Sequence, residues 1–355
     1  MRLTISPSWK FKTDNNEEID QILFKLLHYL HQDPKLTKAA EQANVSYRHA
    51  WNILNKWNDI LGIALVTQVK GQGTSLTAFG EKLIWAENLI EAQLAPSAST
   101  LTSTINRELD NYLGKNNNLI RIHASHGYAI DAIPKLSQYQ DEISIDLRYM
   151  GSAEAIESLI HDDCDLAGFH VCTHPLLRHH ICGQHFKNLM TPEFTIIKLV
   201  IRKQGFIVQN DNPKSIHHII DLIRPDIQII NRQKSAGTRI LLDELIRKCG
   251  IDSHDINGYH NEEYTHTAVA AHVASGAADI GFGIEYAARK FNLHFIPIVS
   301  EQYVLACNTE EINSPNILML LDNMKSHEFA KQICELPGYE LDSAGTTIEA
   351  KSFLN

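Results

Sequence analysis

The chain has 355 residues, of which 44% are hydrophobic and 21% charged, a globular composition with length enough for roughly two or three domains. No stretch approaches the roughly 18 apolar residues of a spanning helix. Met1 to Thr13 shows neither a basic region followed by an apolar run nor a small-residue cleavage site, so export is not expected. Six cysteines, Cys164, Cys172, Cys182, Cys249, Cys307 and Cys334, are scattered through the chain. A core of this size needs no staples, and they read as free thiols in a reducing, cytoplasmic setting. The formal net charge of -10 argues against a generic nucleic-acid coating protein. The charge is uneven, however: between Lys35 and Lys82 six cations (Lys35, Lys38, Arg48, Lys56, Lys70, Lys82) face three carboxylates (Glu41, Asp59, Glu81), a net of +3 that leaves -13 for the rest.

From Ile19, the positions Ile22, Leu23, Leu26, Leu27 and Leu30 recur at helical spacing, and Asp33-Pro34 ends that helix. Thr37 is positioned to cap a short second helix carrying Ala39, Ala40 and Ala43. Asn44 suits a tight corner, because asparagine tolerates the left-handed conformation that such corners usually give to glycine. Ser46 is placed to cap a third helix running to about Trp57. Its inward face is Ala50, Ile53, Leu54 and Trp57, and its outward face Tyr47, Arg48, His49, Asn52 and Lys56. Two β-rich runs, Ala64 to Val69 and Thr74 to Thr77, joined by Lys70-Gly71-Gln72-Gly73, read as a hairpin wing. Thr77 opens a long helix from about Ala78 to Leu94, and Ala95-Pro96-Ser97-Ala98-Ser99-Thr100 has linker composition, with a resumed helix through Leu113 as the alternative.

From Leu119 the pattern alternates strands with helices, the mark of an α/β domain. The strands are expected at Ile120 to Ala124, Ile143 to Tyr149, Leu166 to Val171, Ile227 to Ile230, Asp279 to Phe282 and His294 to Ile298. Helices fit at Tyr128 to Tyr139, Ala153 to His161, Ile216 to Ile223, Thr238 to Cys249, Thr267 to Ser275 and Ile284 to Phe291, with two more near Ile317 to Lys325 and Glu328 to Leu336. The chain thus divides into a helical domain with a wing (1–95), a linker (96–117) and an α/β domain (118–355).

A helix-turn-helix places its second helix in the major groove, so the exposed side of that helix needs groups that donate to phosphates and base edges. Ser46, Tyr47, Arg48, His49, Asn52 and Lys56 meet that need, with Lys70 of the wing taking phosphate. Spacing alone also fits a three-helix bundle whose polar face is merely solvated. In the α/β domain four turns carry small polar residues at a helix start: Ser125-His126-Gly127, Gly151-Ser152-Ala153, Ser235-Ala236-Gly237-Thr238 and Tyr264-Thr265-His266. Taken singly each is an ordinary cap, but several helix N-termini converging on one cleft make an anion site.

The run Lys38-Ala39-Ala40 through Val45-Ser46-Tyr47-Arg48-His49-Ala50-Trp51, followed by Gly71-Gln72-Gly73-Thr74-Ser75-Leu76-Thr77-Ala78-Phe79-Gly80-Glu81, resembles the winged helix-turn-helix of bacterial molybdate-responsive regulators, a group related to LysR-type regulators. Asn44 replaces that family's corner glycine. The resemblance implies operator DNA as partner and a homodimer or higher homo-oligomer formed through the long helix. Its stripe Leu83, Ile84, Ile90 and Leu94 would be the interface, unless it packs on its own domain. From about Leu119 to Phe353 the chain resembles the periplasmic-binding-protein fold in the form fused to such winged-helix domains. The resemblance rests on Ala167-Gly168-Phe169-His170, Arg202-Lys203-Gln204-Gly205, Asn231 to Arg239, Gly258 to His266, Ala274 to Gly281 and Leu336-Pro337-Gly338-Tyr339.

The implied fold class is α/β: an N-terminal winged helix-turn-helix plus a two-lobed periplasmic-binding-protein-like α/β domain. Closure of the lobes would bring Ser125 and Ser152 against Ser235, Gly237, Thr238, Thr265 and His266, and His126, His170 and Arg232 complete the candidate ligand-binding set. In molybdate-binding relatives serine hydroxyls and backbone amides hold the tetrahedral dianion, and Ser125 and Ser152 match those serines. Molybdate or tungstate is therefore the leading effector, with no cofactor and no membrane partner. Glu262 and Glu263 would repel a dianion unless they point away or pair with Arg232 or Arg239, which keeps a larger molybdenum-cofactor-related ligand or another small anion open.

Two other readings start from histidine. The cluster His170, Cys172, His174, His179, His180, Cys182 and His185 invites structural zinc but lacks the usual paired knuckles. His266 with Glu262 could form an acid-base pair, yet no nucleophile or cofactor motif accompanies them, so an enzyme is not expected. A transport binding protein would share the second domain but not the winged helix.

Overall fold

The computed structural model of the chain describes residues 3–69, 73–112, 118–136 and 143–355. The chain forms two compact units, Ser6–Ala92 and Gln93–Asn355 together with the N-terminal Met1–Ile5.

In the smaller unit α1 (Gln21–Gln32), α2 (Leu36–Gln42) and α3 (Tyr47–Leu61) pack around Leu23, Leu26, Leu27, Leu54 and Trp57, each with 2% or less of its surface exposed. The indole of Trp57 finds its partner in Asp20 Oδ2 at 3.0 Å. Between α2 and α3, Asn44 takes φ 56°, the left-handed conformation its position requires, and Ser46 Oγ accepts the His49 amide as N-cap. Thr37 is not a cap: α2 opens one residue earlier, because the Lys35 carbonyl already accepts from Ala39 N at 3.0 Å. α3 runs one turn beyond Trp57 and ends on Gly62 at φ 67°.

The wing is an antiparallel pair, β1 (Val66–Val69) and β2 (Gly73–Leu76). Gly73, at φ 97°, is required there, since a Cβ would stand 2.2 Å from the Pro34 carbonyl oxygen. Thr77 Oγ1 accepts from Gly80 N and so opens α4 (Ala78–Tyr112). In the expected linker, 96–117, helix continues to Tyr112, the alternative the sequence left open, and 113–117 lie outside the described residues. The Ala, Ser and Thr residues that suggested a linker are small enough to stay helical, and Thr104 Oγ1 keeps its hydroxyl on the ladder by bonding the Thr100 carbonyl at 3.0 Å.

In the larger unit the sheet runs β4 (Ser144–Tyr149), β3 (Leu119–Ala124), β5 (Leu166–Cys172), β10 (His294–Asn308), β6 (Phe194–Val208), β9 (Ile280–Ile284), β7 (Ile229–Arg232), β8 (Glu262–Glu263), with β11 (Tyr339–Leu341) and β12 (Thr347–Glu349) also on β6. β4, β3 and β5 are parallel, as are β9, β7 and β8. The 15-residue strands β6 and β10 run antiparallel between these groups, with register shifts between Pro297 and Val299 and between Tyr303 and Val304. Each parallel group with its share of the long strands forms one lobe, giving a two-lobed α/β domain behind an N-terminal winged helix-turn-helix. Helices α6 (Ser152–Ile160), α8 (Gly237–Lys248) and α9 (His266–Ala274) begin at the carboxyl ends of β4, of β7 and of β8, where open α/β sheets place their ligands.

Five elements differ notably from the sequence reading. The strand β6 and the second half of β10 were not expected, nor was α7 (Pro175–His185). The helix expected at Tyr128 to Tyr139 is a 3-10 turn at Ile130–Ala132 leading into α5 (Ile133–Leu136), and 137–142 lie outside the described residues. Ile216 to Ile223 yields only a 3-10 turn at Ile219–Ile223. The remaining helices are α10 (Glu285–Lys290), α11 (Pro315–Met324), α12 (His327–Cys334) and α13 (Ala350–Leu354). No described helix is long and apolar enough to cross a membrane.

Candidate functional site

A cavity of about 550 Å³ opens between the lobes. Nine of the ten expected ligand residues line it: Ser125, His126, His170, Arg232, Ser235, Gly237, Thr238, Thr265 and His266. The tenth, Ser152, is wholly buried behind the wall, and a Cβ on Gly237 would lie 3.3 Å from its Oγ. The lobes meet closely at the rim. A Cβ on Gly151, from the first lobe, would stand 3.1 Å from both Cβ and the carbonyl oxygen of Ser235 in the second, and Tyr128 Oη bonds Thr267 Oγ1 across the same divide.

The sequence reading omitted Arg202 from the site, although its Arg-Lys-Gln-Gly motif was noted. Only 1% exposed on β6, Arg202 donates from Nε (3.1 Å) and Nη2 (3.0 Å) to Glu301 Oε2 on β10, its cross-strand partner. Gln204 Nε2 donates to the same oxygen at 2.7 Å and reaches Thr238 Oγ1 at 3.0 Å, tying the long strands to the start of α8. Burial works against the charge on Arg202, but Glu301 and Tyr339 hold its pKa above the ordinary arginine value. Tyr149, Met150, Glu154, Gln233 and Tyr264 also line the cavity and lay outside the expected set. Gln233 and Tyr264 lie in segments the sequence had singled out, Asn231 to Arg239 and Tyr264-Thr265-His266, whereas Tyr149 and Met150 close a strand whose apolar pattern reads as core. Glu154 Oε2 accepts the Gly151 amide and completes the cap of α6.

Arg232 is 5% exposed. Among the described residues its guanidinium donates to neutral acceptors, Gln233 Oε1 at 3.1 Å and the Tyr264 carbonyl at 2.9 Å. Burial, and then the neighbouring Arg202, pull its pKa down to about 9, so it remains a cation at neutral pH. His126, His170 and His266 are each pushed below the ordinary histidine value, first by burial and then by these guanidiniums, and are neutral. His170 Nδ1 bonds Ser125 Oγ at 3.0 Å, and its ring meets Tyr303 edge-on at 4.3 Å. Among the described residues, His126 Nδ1, Ser152 Oγ, His170 Nε2 and His266 Nδ1 are buried with no hydrogen-bond partner. Buried polar groups of folded proteins rarely go unsatisfied, so this concentration singles the cavity out as the candidate site.

Glu262 and Glu263 do not oppose an anion. Glu262 Oε1 pairs with Arg239 Nη1 at 3.1 Å, one of the two arginine partners anticipated, and Glu263 Oε1 pairs with His272 Nε2 at 2.6 Å. Glu262 therefore does not form the acid-base pair with His266. In the histidine- and cysteine-rich segment Cys172 and Cys182 are buried free thiols and His180 lies 3.3 Å from Glu244. Among the described residues no group of three His, Cys, Asp or Glu is placed to hold a metal ion.

In the smaller unit Ser46, Tyr47, Arg48, His49, Asn52 and Lys56 are all exposed along the start and outer face of α3. The Ser46 hydroxyl is engaged as cap and Lys56 Nζ sits 3.1 Å from Asp20. Lys70 lies outside the described residues.

Among known proteins, the chain is 33% identical over 202 residues to the uncharacterized protein YvgK of Bacillus subtilis (strain 168), covering 57% of this chain and 64% of that one. It is 40% identical over 110 residues to an uncharacterized protein encoded in the 5' region of the 2Fe-2S ferredoxin gene of Clostridium pasteurianum, 31% of this chain and 97% of that one. The chain thus spans less than two thirds of the length of the first of these relatives. Solved structures with similar shape include OxyR of Corynebacterium glutamicum (12% identity, TM-score 0.45, 90% of this chain and 94% of that one). CbnR in complex with its target DNA is another (13% identity, TM-score 0.42, 85% and 98%). Residues 134–325 match the PBP-like family of PBP superfamily domains, and the chain belongs to that family.

Proposed function

We propose that this protein is a one-component, DNA-binding transcription regulator, not an enzyme, whose two-lobed domain closes on a small anion. The observation that carries the reading is the interlobe cavity, where Arg232 and the N-termini of α8 and α9 from one lobe face Ser125, His126 and His170 from the other, amid buried polar atoms lacking partners. A ligand bridging both lobes favours the closed arrangement by its differential affinity, which is what a switch requires. DNA recognition falls to α3, with Arg48 and Asn52 reading base edges and Lys70 and Lys56 on phosphate.

Exposed Leu94, Leu101 and Ile105 on α4, at 41%, 54% and 39%, recur at spacings of seven and four and offer a seam for a second copy of the chain. Of the stripe expected there, Leu83 and Ile84 instead pack on the core of their own unit. We assign the boundaries functionally as 1–95 for DNA binding and dimerisation and 118–355 for sensing, with the intervening helix joining them. Molybdate and tungstate are the first effectors to test, since hydroxyls and helix-start amides bind tetrahedral dianions without needing a full counter-charge. The cavity volume also favours the larger anion as a second reading.

Gel shifts against the chain's own upstream DNA should show saturable, salt-sensitive binding. Arg48→Ala and Asn52→Ala should each weaken it by about 1–3 kcal/mol. Absence of binding with both free and ligand-loaded protein would overturn the regulator reading. Calorimetry with molybdate, tungstate, sulfate and phosphate should single out the first two, and indifference to all four would remove the oxyanion.

A further inference from the structure

This inference rests on the reading that the cavity holds an anion, and concerns what else the ligand carries. Four water-sized oxygens fill roughly 120 Å³ at about 30 Å³ each, against a cavity of about 550 Å³. The lobes also present different chemistry. The second brings Arg232 and the N-termini of α8 and α9. The first brings planar groups: the imidazoles of His126 and His170 and the ring of Tyr149, whose centroid lies 5.2 Å from that of His126.

Among the described residues, two ring nitrogens of first-lobe residues that line the cavity, His126 Nδ1 and His170 Nε2, have no hydrogen-bond partner. A bare oxyanion offers acceptors only and fills little of the cavity. His170 Nδ1 is already bonded to Ser125 Oγ, so His170 and His126 each leave one ring nitrogen to a ligand, as donor or acceptor according to the tautomer.

We propose that the ligand is bipartite: a phosphate or carboxylate held by Arg232 and the helix starts of the second lobe, joined to a planar heteroaromatic ring held against His126, His170 and Tyr149 of the first. The anionic end sets the charge requirement and the ring sets specificity. Ring and anion together span the two lobes, so the intact ligand closes the domain where either half alone does so weakly.

Titration calorimetry of the full chain with inorganic phosphate, molybdate, phenyl phosphate and pyridoxine 5'-phosphate tests this. Phenyl phosphate should bind about tenfold more tightly than inorganic phosphate, as a buried aromatic contact warrants, and pyridoxine 5'-phosphate more tightly still. Tyr149→Ala should remove the advantage of the esters while leaving inorganic phosphate within about twofold; Met150→Ala, trimming the same wall, serves if the first variant does not fold. Molybdate or phosphate binding as tightly as the esters would overturn the bipartite ligand and leave the anion reading standing. Binding of all four probes unaffected by Arg232→Gln, or binding of none, would overturn the anion reading itself.

Discussion

Glu301→Gln probes the ionic knot between the two long strands with almost no change of volume. Glu301 Oε2 accepts three hydrogen bonds, two from Arg202 and one from Gln204, and both members of the ion pair are at most 3% exposed. The amide can keep an oxygen toward Arg202 and Gln204 but leaves the buried Arg202 charge without its carboxylate. Breaking one side of a buried pair costs about 3–5 kcal/mol. In a domain of this size each kcal/mol lowers the midpoint by about 2–4 °C, so the transition of the larger unit should fall by about 6–20 °C. Differential scanning calorimetry follows that transition. The double variant Arg202→Met/Glu301→Leu, which removes both charges, should recover most of the loss, giving a large favourable coupling in the cycle. A single variant that melts within about 2 °C of the native protein, or a double variant that melts as low as the single one, would refute the account of the knot.

Gly151→Ala tests the closeness of the lobes: its φ of -67° and ψ of 154° suit any residue, so the open form is undisturbed, while the added Cβ meets Ser235 at 3.1 Å. Overpacking of this kind costs about 1–3 kcal/mol, and ligand affinity should fall by that much with unfolding unchanged; a lowered midpoint at native affinity would contradict it. The three neutral histidines impose a pH dependence. Their folded pKa values lie below the unfolded one of about 6.5, so the unfolded chain binds more protons in that window and stability is lost as pH falls through it. Calorimetry from pH 8 to 5 should show the larger unit's midpoint dropping below about 6.5, with imidazole NMR signals of the folded state still neutral there. A midpoint that holds or rises would reverse the sign.

The winged helix was legible because its determinants are local. A polar residue able to take a positive φ (Asn44), a hydroxyl one residue before a helix (Ser46, Thr77) and a 3.6-residue apolar period act within a few positions of themselves. The four small-polar turns were legible for the same reason, and they supplied seven of the nine expected residues that line the cavity. Strand β6 was not, since Lys198, Arg202, Lys203 and Gln204 interrupt the apolar run that marks a buried strand.

Arg202 can lie at 1% exposure only because Glu301, ninety-nine positions away, stands opposite it on β10. Between 96 and 112 composition suggested a linker and left a resumed helix open, and the structure carries α4 through to Tyr112. By itself the sequence determined the elements whose signals are local, and the residue types that ring the cleft. Tertiary structure alone decided which polar atoms are buried without a partner, which carboxylates are already paired, and how much space the lobes enclose, because burial, pairing and volume belong to contacts between residues far apart in the chain.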